Sequence, residues 1–218
     1  MTKTILFLIT ILPAFLFGQP IKKIIDSKNH EVYYVLKSDK SVRQGNYKKH
    51  DYKGSTVING HYNNGVKDSI WEFYNYKGEL QQKFDFTKNE LVFYKVDETN
   101  RDQKFKVVKG SDTIELKLDR PPIYIGADIV MFEKLVKIIQ YPQAATEYGI
   151  SGKVYISFMV DKNGKTSNHS ILKGLGYGCD EEALRVVKEI PDNWLPGILN
   201  GQPVEVVYIM PIIFALQG

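Results

Sequence analysis

The chain has 218 residues, 43% of them hydrophobic and 25% charged, the balance of a folded protein with room for two modest domains. Its net charge of +4 is spread through interleaved lysines and acidic residues, which excludes the concentrated basic face of a nucleic-acid binder. A single cysteine, Cys179, excludes an intrachain disulfide and any paired-cysteine metal or redox motif.

The first stretch reads as an export signal: Lys3 supplies a positive start, Ile5 to Phe17 is an apolar run broken by Thr10 and Pro13, and Gly18 is a small residue suited to the position before a cut. Cleavage between Gly18 and Gln19 would make 1–18 a signal peptide and the mature chain an exported, periplasmic protein. The apolar run is shorter than the ~20 residues a spanning helix needs. Retention of this segment as an inner-membrane anchor is the alternative, and only then would the chain contact a membrane.

From Val32 to Tyr94 the pattern is of short strands and turns, rich in aromatic residues. Gly45-Asn46-Tyr47 is echoed by Gly60-His61-Tyr62 and Asn64-Gly65, then by the alternating Ile70 to Tyr74 around Trp71. Phe84 to Glu90 is a worn copy of the unit that begins at His61. Spacing of this kind suggests stacked hairpins that bury aromatic faces against one another. The stretch resembles MORN-like repeats, with Asp68 where that pattern often has glycine. An aromatic meander without a recognition role is the alternative. Asp97 to Gln103 reads as a polar connector, and Phe105–Lys109 with Thr113–Leu118 as a further hairpin. The rigid pair Pro121-Pro122 marks the expected boundary, giving a β-rich region with its linker over 19–120 and a second domain over 121–218.

In the second domain, Phe132, Leu135, Val136 and Ile139 fall at helical spacing, which predicts an amphipathic helix over Ile129 to Gln140 with these four on its buried side. Tyr141-Pro142 ends it. A short helix follows over Gln143 to Tyr148. Val154 to Val160 alternates as a strand, Asn163-Gly164 turns the chain, and Lys165 to Leu172 returns as a more polar strand. Gly174 to Gly178 is expected as a flexible loop. Asp180, Glu181 and Glu182 then open a helix whose buried stripe is Ala183, Val186, Val187 and Ile190. Trp194 is expected in the core. The predicted class is α+β: two helices packed on a three-stranded antiparallel sheet, preceded by a mostly-β hairpin region.

The last element is the long strand Pro203 to Leu216. Its even positions, Val204 through Leu216, are all apolar, whereas Glu205 and Pro211 break the other face. Proline gives no N–H to a ladder, so Pro211 places the strand at a sheet edge or a bulge. A long edge strand offers unpaired backbone to another chain. The candidate docking residues are Glu205, Val207, Ile209, Pro211 and Ile213, with pairing expected to be strongest over Glu205 to Ile209.

Pro122–Gly126, Tyr141-Pro142 with Ala145, Gly149–Val154, Phe158–Asp161 with Gly164, Asp180–Val187, Trp194–Gly197, Asn200–Val204 and Pro211–Phe214 together resemble the TonB C-terminal domain, over about Pro122 to Leu216. The resemblance implies a periplasmic module coupled to outer-membrane transporters, whose last strand receives an extended transporter peptide by strand addition. The chain departs from that family's energy transducers in two ways. Its N-terminal segment has no histidine and the form of a cleavable signal, and a β-repeat region stands where a proline-rich spacer would be. Binding without force transmission is the first reading; an anchored transducer using the proton motive force, and a structural envelope scaffold, are the alternatives. The expected partner is an outer-membrane TonB-dependent transporter or another envelope protein, with a homodimer as a further option and no nucleic acid.

Nothing in the sequence points to an enzyme, a cofactor or a metal centre. His30, His50, His61 and His169 stand apart, none at metal-ligand spacing, and His169 is expected to face solvent. Cys179 is expected as a small buried residue near a helix start, where the dipole could lower its pKa. The glycines at 174, 176 and 178 lack the Lys-Ser/Thr that completes a phosphate loop.

Overall fold

A computed structural model describes residues 19–96, 102–110 and 112–216. The expected signal segment, most of the expected connector and Ser111 of the predicted hairpin turn lie outside the described residues.

The first half forms a seven-stranded antiparallel meander in chain order: β1 (Ile21–Asp26), β2 (Glu31–Leu36), β3 (Arg43–His50), β4 (Thr56–Asn63), β5 (Val66–Tyr74), β6 (Leu80–Asp85) and β7 (Glu90–Tyr94). The turns are chemically specified. Asn64-Gly65, with φ of 49° and 81°, joins β4 to β5, and the Asn75 carboxamide accepts the backbone N–H groups of Lys77 and Glu79 between β5 and β6. The repeated Gly-x-Tyr and Trp residues make one aromatic stack: Tyr47 lies on Trp71 at 5.3 Å, and Tyr62 meets Trp71 edge-on at 5.0 Å. Gly60 makes this stack fit. A Cβ there would lie 2.2 Å from the Trp71 indole, so any side chain would displace the ring.

The second half contains β8 (Lys104–Lys109), β9 (Asp112–Lys117), β10 (Ile123–Tyr124), α1 (Ala127–Ile138), α2 (Gln143–Glu147), β11 (Gly152–Val160), β12 (Thr166–Lys173), α3 (Cys179–Glu189), β13 (Trp194–Leu195), β14 (Gly197–Leu199), β15 (Gln202–Val204) and β16 (Val206–Phe214). Its main sheet has five strands in the order β12-β11-β16-β8-β9, not the three expected. The extra pair is the hairpin β8–β9, which joins the sheet through Val206–Val107 and Val207–Lys106. A small buried cluster of Val107, Leu118 and Val206 fixes it there. The expected terminal strand is divided at Glu205 into β15, which pairs with β14, and β16.

Helix α3 packs on β11 and β12 and buries Ala183, Val186 and Val187, as its stripe predicts. Helix α1 does not lie simply on the sheet. Ile129 joins the aromatic core of the meander, while Met131, Leu135 and Ile139 pack on the core of the second half. Phe132 and Val136, expected on its buried side, are instead 52% and 57% exposed. Because α1 serves two cores at once, its buried surface is turned by about one position from the stripe a single core would select.

Two further ties cross this junction. Gln82, fully buried, donates to the Tyr124 carbonyl at 3.1 Å and accepts the Gly126 N–H at 2.6 Å. Lys49 donates to Glu133 of α1 at 2.7 Å. Trp194 sits where the second core meets the junction, 5% exposed and within 5.5 Å of the rings of Tyr124, Phe158 and Tyr208.

Trp194→Ala should lower stability by about 3–5 kcal/mol, the range for deleting a buried aromatic, read from urea unfolding. An unchanged midpoint would contradict this packing. A fragment of residues 103–218 should melt well above one of residues 120–218, because only the longer one carries β8, β9 and the Val107–Leu118 cover of Val206. Equal melting temperatures would show that the hairpin adds nothing to the second half.

Candidate strand-docking edge

β16 is paired along all of its length on one side. Its nine residues run antiparallel to β11 from Val206–Val160 to Phe214–Gly152 without a register shift. On the other side the pairing is short: two residue pairs to β8, plus a 3.0 Å bond from the Val108 N–H to the Glu205 carbonyl. In an antiparallel strand, backbone groups alternate between the two neighbours. Since the Glu205 carbonyl faces β8, the backbone groups of Val207, Ile209, Pro211 and Ile213 face that side too, and those of Tyr208, Met210, Ile212 and Phe214 face β11.

The five expected docking residues therefore separate into two sets. Glu205 and Val207 already have β8 as a neighbour. Ile209, Pro211 and Ile213 pair with no strand on that flank among the described residues. The expectation that pairing centres on Glu205 to Ile209 is thus corrected: the open stretch begins after Val207. Pro211 points its missing N–H at this open side, where no ladder bond is lost. Side chains follow the same alternation. Met210, Ile212 and Phe214 are buried, whereas Ile209 and Ile213 are 45% and 61% exposed.

The open stretch begins in a cleft of about 1430 Å³. It is lined by β16 at Val207 to Ile209, by Phe105 and Lys106 of β8, and, as a second wall drawn from distant sequence, by Tyr76 of the meander and Phe132 of α1. Burial pushes the Tyr208 phenol up to about 12, with the Asp128 carboxylate and Tyr94 adding to the effect. Sequence reasoning missed this second wall. Its only local signal was the aromatic pair Tyr74 and Tyr76 beside a turn.

Other expected features differ from their reading. His169 is half-buried and stacks on Phe158 at 5.3 Å, with burial first and Lys188 second lowering its pKa. Cys179 is buried as expected, but its thiol pKa is raised rather than lowered, by burial first and then by the neighbouring Asp180 and Glu181. The loop at Gly174–Gly178 is pinned: the Asp180 carboxylate accepts the N–H groups of Leu175 at 2.7 Å and Gly176 at 3.2 Å. At the β11–β12 turn, Gly164 (φ 79°) lies so close to the Trp194 carbonyl that a Cβ would sit 1.9 Å from it. Among the described residues, no helix is long and apolar enough to cross a membrane, and no three His, Cys, Asp or Glu side chains are grouped to hold a metal ion.

Residues 138–216 match the family model described as Gram-negative bacterial TonB protein C-terminal. The matched stretch runs from the end of α1 through β16, so it contains the open edge but not β8, β9 or the meander. Among solved structures, the NMR solution structure of the Helicobacter pylori TonB C-terminal domain is similar at 21% identity. It covers 41% of this chain and 94% of that one, with a TM-score of 0.32. No curated protein sequence matches the chain.

The His169 environment gives a pH test. Its folded pKa lies below the unfolded value of about 6.5, so the unfolded state binds more protons and stability rises with pH across the window between them. The contribution is complete above about pH 6.5 and is lost as pH falls through the folded pKa. His169→Phe should flatten the acid side of the melting-temperature profile. A variant profile parallel to wild type would show that this histidine titrates freely.

Proposed function

We propose that the chain is an exported envelope protein that captures an extended segment of an outer-membrane transporter, or of another envelope protein, by adding it as a strand to β16. The observation that carries this reading is the flank of β16 from Ile209 to Ile213. It is paired on its inner side without a register shift, unpaired on its outer side among the described residues, and inside the stretch that matches the TonB C-terminal family. An added strand would bond to the Ile209 and Ile213 N–H groups and to the carbonyls of Ile209, Pro211 and Ile213. Each such bond is worth about 0.5–1.5 kcal/mol net. Five such bonds give about 2.5–7.5 kcal/mol, less than the roughly 8 kcal/mol of a micromolar complex, so burial of side chains must supply the remainder and offset the cost of association. The exposed side chains of Ile209 and Ile213 would set preference among sequences.

Binding of the mature chain to outer-membrane transporters from envelope extracts tests this. Ile209→Pro removes an outward N–H without touching the β11 ladder and should abolish binding, while Ile209→Thr should bind nearly as well as wild type. Both variants must keep the wild-type circular dichroism. Wild-type binding by a folded Ile209→Pro protein would move the docking site away from this edge.

A further inference from the structure

The meander is more than a spacer ahead of the docking edge. The cleft at the start of the open edge is bounded by two parts of the chain that lie far apart in sequence. Tyr208 and Ile209 line it from β16, and Tyr76 and Phe132, each 52% exposed, line it from the meander and α1. Two half-exposed aromatic rings in the same cleft as an unpaired strand flank leave apolar surface uncovered near backbone groups that need hydrogen-bond partners. Only an extended polypeptide answers both demands, since its backbone pairs with β16 while alternate side chains reach the rings. The cleft volume, about 1430 Å³, also exceeds the roughly 300–1,000 Å³ of small-molecule pockets.

One end of the cleft is basic. Lys104 and Lys106 of β8 line it, and neither makes an ion pair among the described residues. Of the acids that line the same cleft, Glu79 holds Lys95 at 2.9 Å, Asp119 accepts the Gly201 N–H at 2.9 Å, and Asp128 stands near Tyr208. Glu115 stands against the lysines, opposite Lys106 in the β8–β9 ladder. The Arg120 guanidinium, also on the cleft, donates to the Pro196 carbonyl at 2.8 Å, while its Nε has no partner among the described residues.

We infer that the meander and α1 form the second wall of the docking groove, and that the groove takes an extended apolar segment with an acidic end lying against β8. This rests on the strand-addition reading above. β8 stops the added strand at Val207, the lysines hold its acidic end, and Tyr76 and Phe132 clamp its side chains. A meander at this position makes partner selection depend on residues outside the TonB-like stretch.

The test uses the mature full-length chain and a fluorescein-labelled octapeptide of alternating valine and threonine flanked by two aspartates at each end. A second probe carries lysines in place of the aspartates. Wild type should bind the aspartate probe and prefer it over the lysine probe. The double variant Tyr76→Ser, Phe132→Ser should weaken binding about tenfold or more, as loss of aromatic anchors does. Lys104→Glu with Lys106→Glu should reverse the preference between probes. If Ile209→Pro abolishes binding but the aromatic variant binds normally, strand addition stands and the second wall is overturned. If the aromatic variant loses binding while folded Ile209→Pro keeps it, the strand-addition reading fails and this inference with it. Self-association of wild type in sedimentation, relieved by Ile209→Pro, would assign the edge to a second copy of the chain and overturn the inference. Failure of wild type to bind the aspartate probe at millimolar concentration would overturn it as well, leaving the transporter experiment to judge the edge itself.

Discussion

Val206 and Val207 are the positions on which the organisation of the second half turns. There β8 meets β16, seals Val206 against Val107 and Leu118, and then pairs no further. Had β8 continued along β16, the strand would be an interior one with no unpaired flank. Had it been absent, Val206 would lose its cover and the open edge would reach back to Glu205. The short contact gives an edge that is anchored at one end and open at the other. Its anchoring is apolar burial rather than a long ladder.

The same logic of shared surfaces runs through the junction of the two halves. The meander's aromatic face would be incomplete without Ile129, and α1 would have an unpartnered side without the meander. Gln82 adds directionality, because its carboxamide satisfies one carbonyl and one N–H of the segment leading into α1. A buried amide with both ends bonded costs little, whereas the same amide with one end free would cost about 1–3 kcal/mol. The junction therefore favours one relative arrangement of Tyr124–Gly126 against β6. That arrangement sets where α1, and with it Phe132, stands relative to β16.

Much of the second half was legible in sequence because its signals are local. The period-2 pattern of Val204 to Leu216, the Asn163-Gly164 turn and the stripe of α3 each depend on residues within one element. The edge position expected from Pro211 holds only for the flank beyond Val207, because β16 lies between β11 and β8 in the sheet. Less legible were features set by distant partners. The β8–β9 pair reads correctly as a hairpin, but its attachment to a strand about a hundred residues later leaves no local trace. The α1 stripe was misread at Phe132 and Val136 because a helix between two cores buries a different arc from one lying on a single sheet. His169 alternates into a polar strand and looked solvated, yet the ring of Phe158 lies beside it. Pro121-Pro122 likewise gives no local sign that β8 and β9, which precede it, join the sheet of the second half.

Residue-level amide hydrogen exchange on the free protein tests the open edge most directly. Along β16, the Tyr208, Met210 and Ile212 amides, which face β11, should be strongly protected, and Val207, opposite Lys106, should also be slow. The Ile209 and Ile213 amides should exchange rapidly and become protected only when an extended partner is bound. Strong protection of Ile209 and Ile213 in the free monomer would mean that this flank is already occupied, and the edge could not be the docking site.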